Sequence, residues 1–317
     1  MNILNTNAFR LTLLALTTLC LVGCVHSDDN PGLSVGLTLH LPLSDMEDSD
    51  SETLPFAEGG KRRCVVGCYD ASTGRLAARK VVAAGEADSC VTLSVGLDAG
   101  VYDIIAWSDY GKGLRDRFYD TSDLRTVDII SRSWSDDFSK DAATGVVRAV
   151  EIDEDGKRSF DVTLSRPIAR YKLISTDLES YLRRSDSNPK IYPPIESLSV
   201  EVGYELYAPT SFSPVDDRPV DSASKLSYVF KPQTIANSGG SEALIASDII
   251  FADHTESVAS LTLTVRDADG NTISRRTGIQ VSYRRNCETV IRGNFLSSGI
   301  GSIIIDTSWD EDIIIPI

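Results

Sequence analysis

Short runs in which every second residue is apolar recur along this chain, and they constrain its fold more than any other feature. In the run at residues 33–43, leucine and valine fill every odd position, with small, polar or proline residues between them. Side chains alternate between the two faces of a strand, so this period of two predicts a half-buried β-strand that Pro42 ends. Comparable runs lie at residues 91–97, 102–107, 160–164, 198–206, 226–230, 261–265 and 279–283.

Turn sequences separate these runs, and helical periodicity is scarce. Residues 70–74, 98–100, 153–156 and 267–271 each combine Asp with Gly, a composition typical of tight turns. Strands with frequent turns favour antiparallel sandwiches over alternating strands and helices. The chain is therefore predicted to be all-β, with one short helix at residues 175–184 that Thr176 or Asp177 would cap.

The predicted domain boundary lies near Arg166 and Pro167. Strand-like residues flank this pair, and Pro167 cannot donate a hydrogen bond in the middle of a sheet. A boundary here gives an N-terminal sandwich at residues 33–166 and a C-terminal sandwich at residues 167–317, both of common domain size.

The charge and the histidine content exclude several functions. The 317 residues include 46 Asp and Glu against 31 Lys and Arg, a formal charge of −15, which would repel nucleic-acid phosphates. Only three histidines occur, and no sequence motif typical of a catalytic or metal site is found. We therefore expect no enzyme activity, no catalytic residues, no cofactor, no metal and no nucleic-acid partner. The Asp- and Gly-containing segment at 267–271 has the wrong spacing for an EF-hand and is predicted to be a hairpin turn.

The N-terminus is predicted to carry an export signal. An apolar stretch at residues 11–22 has the length of a signal-peptide core, and Leu21-Val22-Gly23-Cys24 resembles the bacterial lipobox. That resemblance implies a lipoprotein signal peptide at residues 1–23 and fatty-acyl chains such as palmitate on Cys24. A plain secretory signal with an incidental Cys24 is the alternative. Residues 24–32 would form an acidic tether, and its Ser27-Asp28-Asp29 cluster is similar to signals that send Bacteroidota lipoproteins to the outer face of the outer membrane.

Four further cysteines remain after Cys20 and Cys24. An even number in an exported protein permits two disulfides, and Cys64 or Cys68 could pair with Cys90 if their strands are neighbours. Cys64 and Cys68 lie too far apart along one strand to bridge each other. We favour a packing role for these residues and for Cys287, since the spacing matches neither a redox pair nor a zinc site.

Several segments together carry a family resemblance. The strand at residues 33–43 behind a lipobox, residues 64–74 and residues 99–111 resemble the N-terminal half of the fimbrillin-like lipoproteins of Bacteroidales, which include fimbrial subunits and the fimbrium anchor protein. Residues 162–170 and 283–296 are similar to the family's domain-joining and C-terminal segments. The resemblance implies two tandem transthyretin-like, Greek-key β-sandwiches and a role in adhesion as a pilus anchor, accessory or tip subunit on the cell outer membrane.

The resemblance also implies assembly with other fimbrial subunits by strand donation, in which a partner's strand fills an open sheet edge. In polymerising members an arginine-specific protease removes the first strand. Here the first basic site after that strand is Lys61-Arg62-Arg63, directly before the next predicted strand, so Arg62 and Arg63 are a candidate protease site. Candidate donor residues are Leu33, Val35, Leu37 and Leu39 near the N-terminus and Ile313, Ile315 and Ile317 at the C-terminus.

Both candidate donor strands could instead complete their own sheets. We favour this alternative for the first strand, because a lipid anchor is useful only while the strand that bears it stays attached. That preference points to an anchor or cell-proximal subunit.

A surface glycan-binding lipoprotein with host or glycan ligands is the alternative function. Exposed aromatic rings would stack on sugars, and the chain has three tryptophans. Trp107 falls in a predicted strand and is expected in the core, so Trp134 and Trp309 are the better candidates.

Overall fold

The computed structural model describes residues 32–42, 60–130, 140–155, 158–235 and 239–297, together with the backbone of 304–308 and 313–315. The signal peptide, Cys24 and all of the predicted tether except Gly32 lie outside the described residues. Trp134, Trp309 and Ile317 lie outside them as well. Within this part of the chain, no helix is long and apolar enough to cross a membrane.

The predicted all-β fold is confirmed, since the described residues form strands and few helical turns. The strands are β1 Leu33–His40, β2 Gly60–Asp70, β3 Leu76–Ala83, β4 Cys90–Leu97, β5 Gly100–Lys112, β6 Tyr119–Asp120, β7 Val127–Ile129, β8 Ala142–Ile152, β9 Ser159–Thr163, β10 Ile168–Ser175, β11 Ser199–Tyr204, β12 Ala208–Ser213, β13 Arg218–Ala223, β14 Ser227–Phe230, β15 Gln233–Thr234, β16 Ala243–Phe251, β17 Ser257–Arg266, β18 Thr272–Tyr283, β19 Glu288–Gly293, β20 Ile304–Ser308 and β21 Ile313–Ile315. The α-helix α1 spans Leu178–Ser187, and a short 3-10 turn spans Ile195–Ser197.

Two sheets form the first sandwich, with strand orders β4-β1-β9 and β3-β2-β5-β8. Alternate residues of each strand point between the sheets, as the period of two requires. Leu37, Cys64 and Ile104 are fully buried there. The buried residues of this first core all precede Arg166.

The second sandwich has larger sheets, with strand orders β15-β16-β10-β19-β20-β21 and β14-β11-β17-β18. Its core is built from aliphatic side chains and from Tyr171, Tyr204 and Tyr228. The buried residues of this second core all follow Pro167.

A third buried group, which we call the junction cluster, takes residues from both halves of the chain. It lies on the outer face of the β2–β5 sheet and against β16, and a small sheet β13-β12-β7-β6 also joins the halves. Its members are Val65, Tyr69, Ile105, Trp107, Phe118, Tyr119, Leu124, Val127, Ala142, Ile168, Phe212, Ile249 and Phe251. Residues 32–317 thereby form one compact unit, and the domain boundary at Arg166 and Pro167 stays a prediction.

The predicted helix forms, but it begins and ends about three residues later than expected, and the N-cap residue Asp177 does not cap it through its side chain. It runs to Ser187 rather than to Arg184, and Asp177 occupies the N-cap position without a side-chain bond to the helix. The Asp177 carboxylate instead accepts from the backbone N–H of Ser297 at 2.9 Å and of Leu296 at 3.3 Å. Asp177 therefore ties the helix start to the chain beyond β19.

The turn at residues 267–271 is a hairpin turn between β17 and β18, as predicted. The Asp267 carboxylate accepts from the backbone N–H of Asn271 at 2.7 Å and of Asp269 at 3.0 Å. Gly270 has a φ of +85°, which favours glycine.

We expect Leu37→Ala to lower the free energy of unfolding by about 2–5 kcal/mol, because it opens a cavity in the first core. Ser34→Ala on the exposed face of the same strand should change it by less than about 0.5 kcal/mol. Urea unfolding of both variants measures the difference. Equal losses in the two variants would contradict the assignment of the buried face.

Candidate assembly site at the first strand

The first strand, β1, lies in the middle of its sheet. It pairs antiparallel with β4 from Leu33 to His40 and parallel with β9 from Gly36 to His40. The side chains of Val35, Leu37 and Leu39 are fully buried. In the described structure β1 therefore completes its own sheet, which was the alternative that we favoured.

The two neighbours of β1 do not pair with each other, because β1 separates them in the sheet order. A sheet without β1 would leave backbone N–H and C=O groups of both β4 and β9 unpaired. It would also uncover the first core, including Leu93, Val95 and Val162. An exposed apolar groove with two unpaired edges is what a donated strand can fill.

The candidate protease residues lie inside a strand, and their expected position directly before it was wrong. β2 begins at Gly60, so Arg62 and Arg63 are opposite Tyr110 and Asp109 of β5. Arg63 is also opposite Ala83 of β3. The two side chains are only 8% and 1% exposed. The use of Arg62 and Arg63 as a protease site stays a prediction.

Arg63 is held by two carboxylates, of which Asp109 is buried and Asp116 is partly exposed. Its Nε donates to Asp109 Oδ1 at 2.6 Å, and its Nη2 donates to Asp116 Oδ1 at 2.7 Å. Burial lowers the pKa of Arg63, but these hydrogen bonds and charges outweigh burial and raise it overall. Burial also raises the pKa of Asp109. Charge-assisted, partly bidentate pairing of this kind offsets the cost of burying a guanidinium.

The C-terminal isoleucine strands extend the large sheet of the second sandwich. β20 pairs antiparallel with β19, and β21 pairs antiparallel with β20, with Ile305 opposite Ile315. β21 is the last strand in that sheet order. Ile313 and Ile315 thus add to a sheet of their own chain while standing at its edge.

Trp107 is a core residue, as expected. It is fully buried, its Nε1 donates to Asp109 Oδ2 at 3.2 Å, and its ring meets Tyr119 edge-on at 5.3 Å. It therefore offers no face to a sugar. The other two tryptophans of the predicted sugar platform lie outside the described residues.

The four cysteines within the described residues are free. Cys64 and Cys68 are buried in the first core, and burial raises the pKa of Cys68 to about 12. Cys90 is exposed at the start of β4, and Cys287 is partly exposed. The packing role is confirmed for the buried pair, whose thiols are in the unreactive protonated form at neutral pH.

Sequence reasoning missed a buried ion pair between the two halves of the chain. Lys140 Nζ lies 3.0 Å from Asp248 Oδ1, and Tyr204 donates to Asp248 Oδ2 at 2.9 Å. The Tyr171 hydroxyl in turn forms hydrogen bonds with the hydroxyls of Tyr204 and Tyr228. Burial raises the pKa of Asp248. The only sequence signal was the pair Ser247-Asp248 inside an otherwise apolar run at residues 243–252.

We expect an arginine-specific protease to leave the bonds after Arg62 and Arg63 intact in the folded protein. Both residues are paired in the β2–β5 ladder and buried, so a protease cannot bind them without opening the sheet. Mass spectrometry of timed digests measures cleavage, and exposed Arg75 between β2 and β3 is the internal control. Cleavage after Arg63 at the rate seen for Arg75 would contradict this expectation.

Comparisons with known proteins place the chain in a family. A family model described as "Family of unknown function (DUF6562)" matches residues 27–317. No curated protein matches the sequence.

Among solved structures, the chain is similar to the "putative polysaccharide binding proteins (DUF1812)" of Bacteroides thetaiotaomicron VPI-5482. The identity is 14% and the TM-score is 0.50, over 88% of this chain and 98% of that one. The tip fimbrial protein Mfa3 of Porphyromonas gingivalis, with a C-terminal truncation, aligns at 12% identity and a TM-score of 0.44, over 87% of this chain and 99% of that one. The fimbrial anchor protein Mfa2 of the same organism aligns at 14% identity and a TM-score of 0.43, over 87% of this chain and 98% of that one.

Likeness at these identities concerns the fold, and the β-sandwich fold implied by the sequence resemblance is confirmed. The family match covers most of the chain. The protein therefore belongs to the DUF6562 family.

Proposed function

We propose that this protein is a surface-exposed lipoprotein of the outer membrane that serves as a fimbrial anchor, accessory or tip subunit. It joins other fimbrial subunits by β-strand donation and has a structural rather than a catalytic role. The observation that carries the proposal is the position of β1. A single N-terminal strand separates β4 from β9 and covers the first core. The fold is therefore built around a groove that accepts one strand, and in this subunit its own β1 fills that groove.

The proposed anchor is Cys24, nine positions before Leu33. Lipid on Cys24 would place the membrane within a short tether of β1. Several acyl chains exceed the two signals needed for stable membrane attachment. Because β1 is paired on both sides, a membrane anchor at its N-terminal end would hold the whole first sandwich.

The burial of Arg62 and Arg63 supports an anchor or cell-proximal position. Removal of β1 by cleavage there would first require β2 to separate from β5 and Arg63 to leave Asp109 and Asp116. We propose that β1 stays attached in the folded protein. Cleavage at Arg62 or Arg63 would occur only in chains in which β2 has separated from β5. Donation would then run through the edge strand β21, with a partner's sheet as the acceptor.

Glycan binding is the second candidate function. The observation that favours it is a cavity lined by arginines close to Pro42.

We expect Cys24→Ala to abolish incorporation of labelled palmitate and to move the protein from the membrane pellet to the soluble fraction. Cys20→Ala, which alters the signal peptide but leaves the lipobox cysteine, is the matched control and should keep both properties. Cell fractionation with metabolic labelling makes the measurement. Full palmitate labelling of Cys24→Ala would show that the anchor lies elsewhere.

Strand donation is tested with a specific protease site inserted between Leu43 and Gly59. After cleavage, we expect a labelled peptide of residues 32–42 to replace β1, because it restores both backbone ladders and the buried face. The same peptide with Leu37→Asp should fail, since it would bury an unpaired charge. Fluorescence anisotropy and mass spectrometry of the complex report exchange.

A peptide of residues 303–317, offered to the same cleaved protein, tests the C-terminal donor. Binding supports donation by the isoleucine strands. Failure of this peptide while the β1 peptide exchanges removes the C-terminal donor, and failure of both removes strand donation.

A further inference from the structure

We propose that a cavity between the end of β1 and the β18–β19 turn binds the carboxylate of an acidic sugar residue, a uronic acid. This junction cavity has a volume of about 520 Å³, within the range of sites for small ligands. The residues that bring its chemistry are Ser165, Arg166, His254, Arg284, Arg285 and Asn286. The inference rests on the second candidate function, glycan binding, and names its ligand class.

Four segments that are distant in sequence build the cavity wall, one of which contributes His254 after β16. Pro42 follows β1, Ser165 and Arg166 follow β9, and the turn at residues 284–287 joins β18 to β19. Two backbone hydrogen bonds fix the turn to the junction. The Asn286 N–H donates to the backbone carbonyl of Ile168 at 2.8 Å, and the Arg285 N–H donates to the backbone carbonyl of Asp253 at 3.0 Å. The cavity therefore has a wall set by the fold.

Two of the arginines are held in place. Arg285 is buried, donates to Asp217 Oδ1 at 2.7 Å and stacks 5.0 Å above the Phe212 ring. Arg166 Nε donates to Asp141 Oδ1 at 2.9 Å. Such supports fix guanidinium groups before a ligand arrives, which lowers the entropy cost of binding.

The cavity wall has the opposite sign of charge from the protein. The chain carries −15 overall, but the described lining residues include three arginines and no carboxylate side chain. Asp141 and Asp217 pair with Arg166 and Arg285 from behind the wall, so two of the three positive charges are offset and the five side chains together carry a formal charge of +1. Guanidinium groups bind carboxylates through paired, charge-assisted hydrogen bonds. The wall therefore favours an anionic group over a neutral one.

The remaining features favour a sugar acid over an acidic peptide. The cavity is larger than a single carboxyl group needs, and Ser165 and Asn286 add neutral polar groups of the kind that hydrogen-bond sugar hydroxyls. A peptide with several acidic residues would meet the negative charge of the surrounding surface. A single acidic sugar presents one carboxylate and several hydroxyls.

Isothermal titration of the purified full-length chain with D-glucuronate and D-glucose tests the site, because these sugars differ by the carboxylate. We expect glucuronate to bind and glucose not to bind. Arg284→Gln should weaken glucuronate binding about tenfold. Arg284 is exposed, with its Nη2 3.5 Å from Cys287 Sγ, so this change should leave the thermal unfolding of the protein unaltered. The control variant Arg75→Gln changes an exposed arginine between β2 and β3 that does not line the cavity. It should bind glucuronate as tightly as the unmodified protein.

Three results would overturn the inference. The first is no glucuronate binding, or binding that Arg284→Gln leaves unchanged. The second is equally tight binding of N-acetyl-glutamate amide, which would assign the cavity to peptide carboxylates. The third is binding of neutral glycans that Arg284→Gln does not affect, which would leave glycan binding standing and place it at another site.

Discussion

The two central strands of the β3-β2-β5-β8 sheet, β2 and β5, are buried on both faces over most of their length, and the rest of the fold depends on this constraint. Cys64, Val66 and Cys68 of β2 face the first core, while Val65 and Tyr69 face the junction cluster. Ile104 and Ile105 of β5 divide in the same way. A sheet in this position cannot shift by one residue without exchanging both sets of side chains. The two halves of the chain are therefore packed against one shared, register-fixed layer.

Charged groups within this layer and at its contact with β16 act as additional constraints on packing. Arg63 requires Asp109 beside it on β5, and Lys140 requires Asp248 on β16. Loss of one partner from a buried pair leaves an uncompensated charge and costs about 3–5 kcal/mol. The Lys140–Asp248 pair joins the two halves of the chain, so the packing of the junction cluster and the position of Asp248 must be satisfied together.

The sequence predicted β1, whose two faces differ, and missed β16, whose two faces are alike. β1 was predicted because Val35, Leu37 and Leu39 alternate with less buried residues. β16 was missed because all of its residues are buried, so a period of two is not visible in its sequence. The helix was predicted near its true position, but the partners of Asp177 lie about 120 residues away, and no local pattern indicates them.

The same distinction applies to the candidate sites. The strand β1 could be predicted from its pattern of alternating residues, whereas the burial of Arg62 and Arg63 depends on where β5 and Asp109 lie. The junction cavity is still less predictable, since it needs Ser165 beside a turn that begins at Arg284. Sequence periodicity reports one strand at a time, and these sites arise where strands from separate sheets end.

The position of β1 gives a physical reason to combine a lipid anchor with this fold. If lipid on Cys24 holds the protein, a force on the fimbria pulls along β1 from its N-terminal end. The strand resists through ladders to β4 and β9 that are loaded together, while its three fully buried aliphatic side chains must leave the core. An anchor on an edge strand or a loop would load fewer contacts at once. Burying the first strand at the centre of its sheet would therefore make such an attachment as strong as the core of the first sandwich. The opposite end of the strand leads to Pro42, beside the junction cavity.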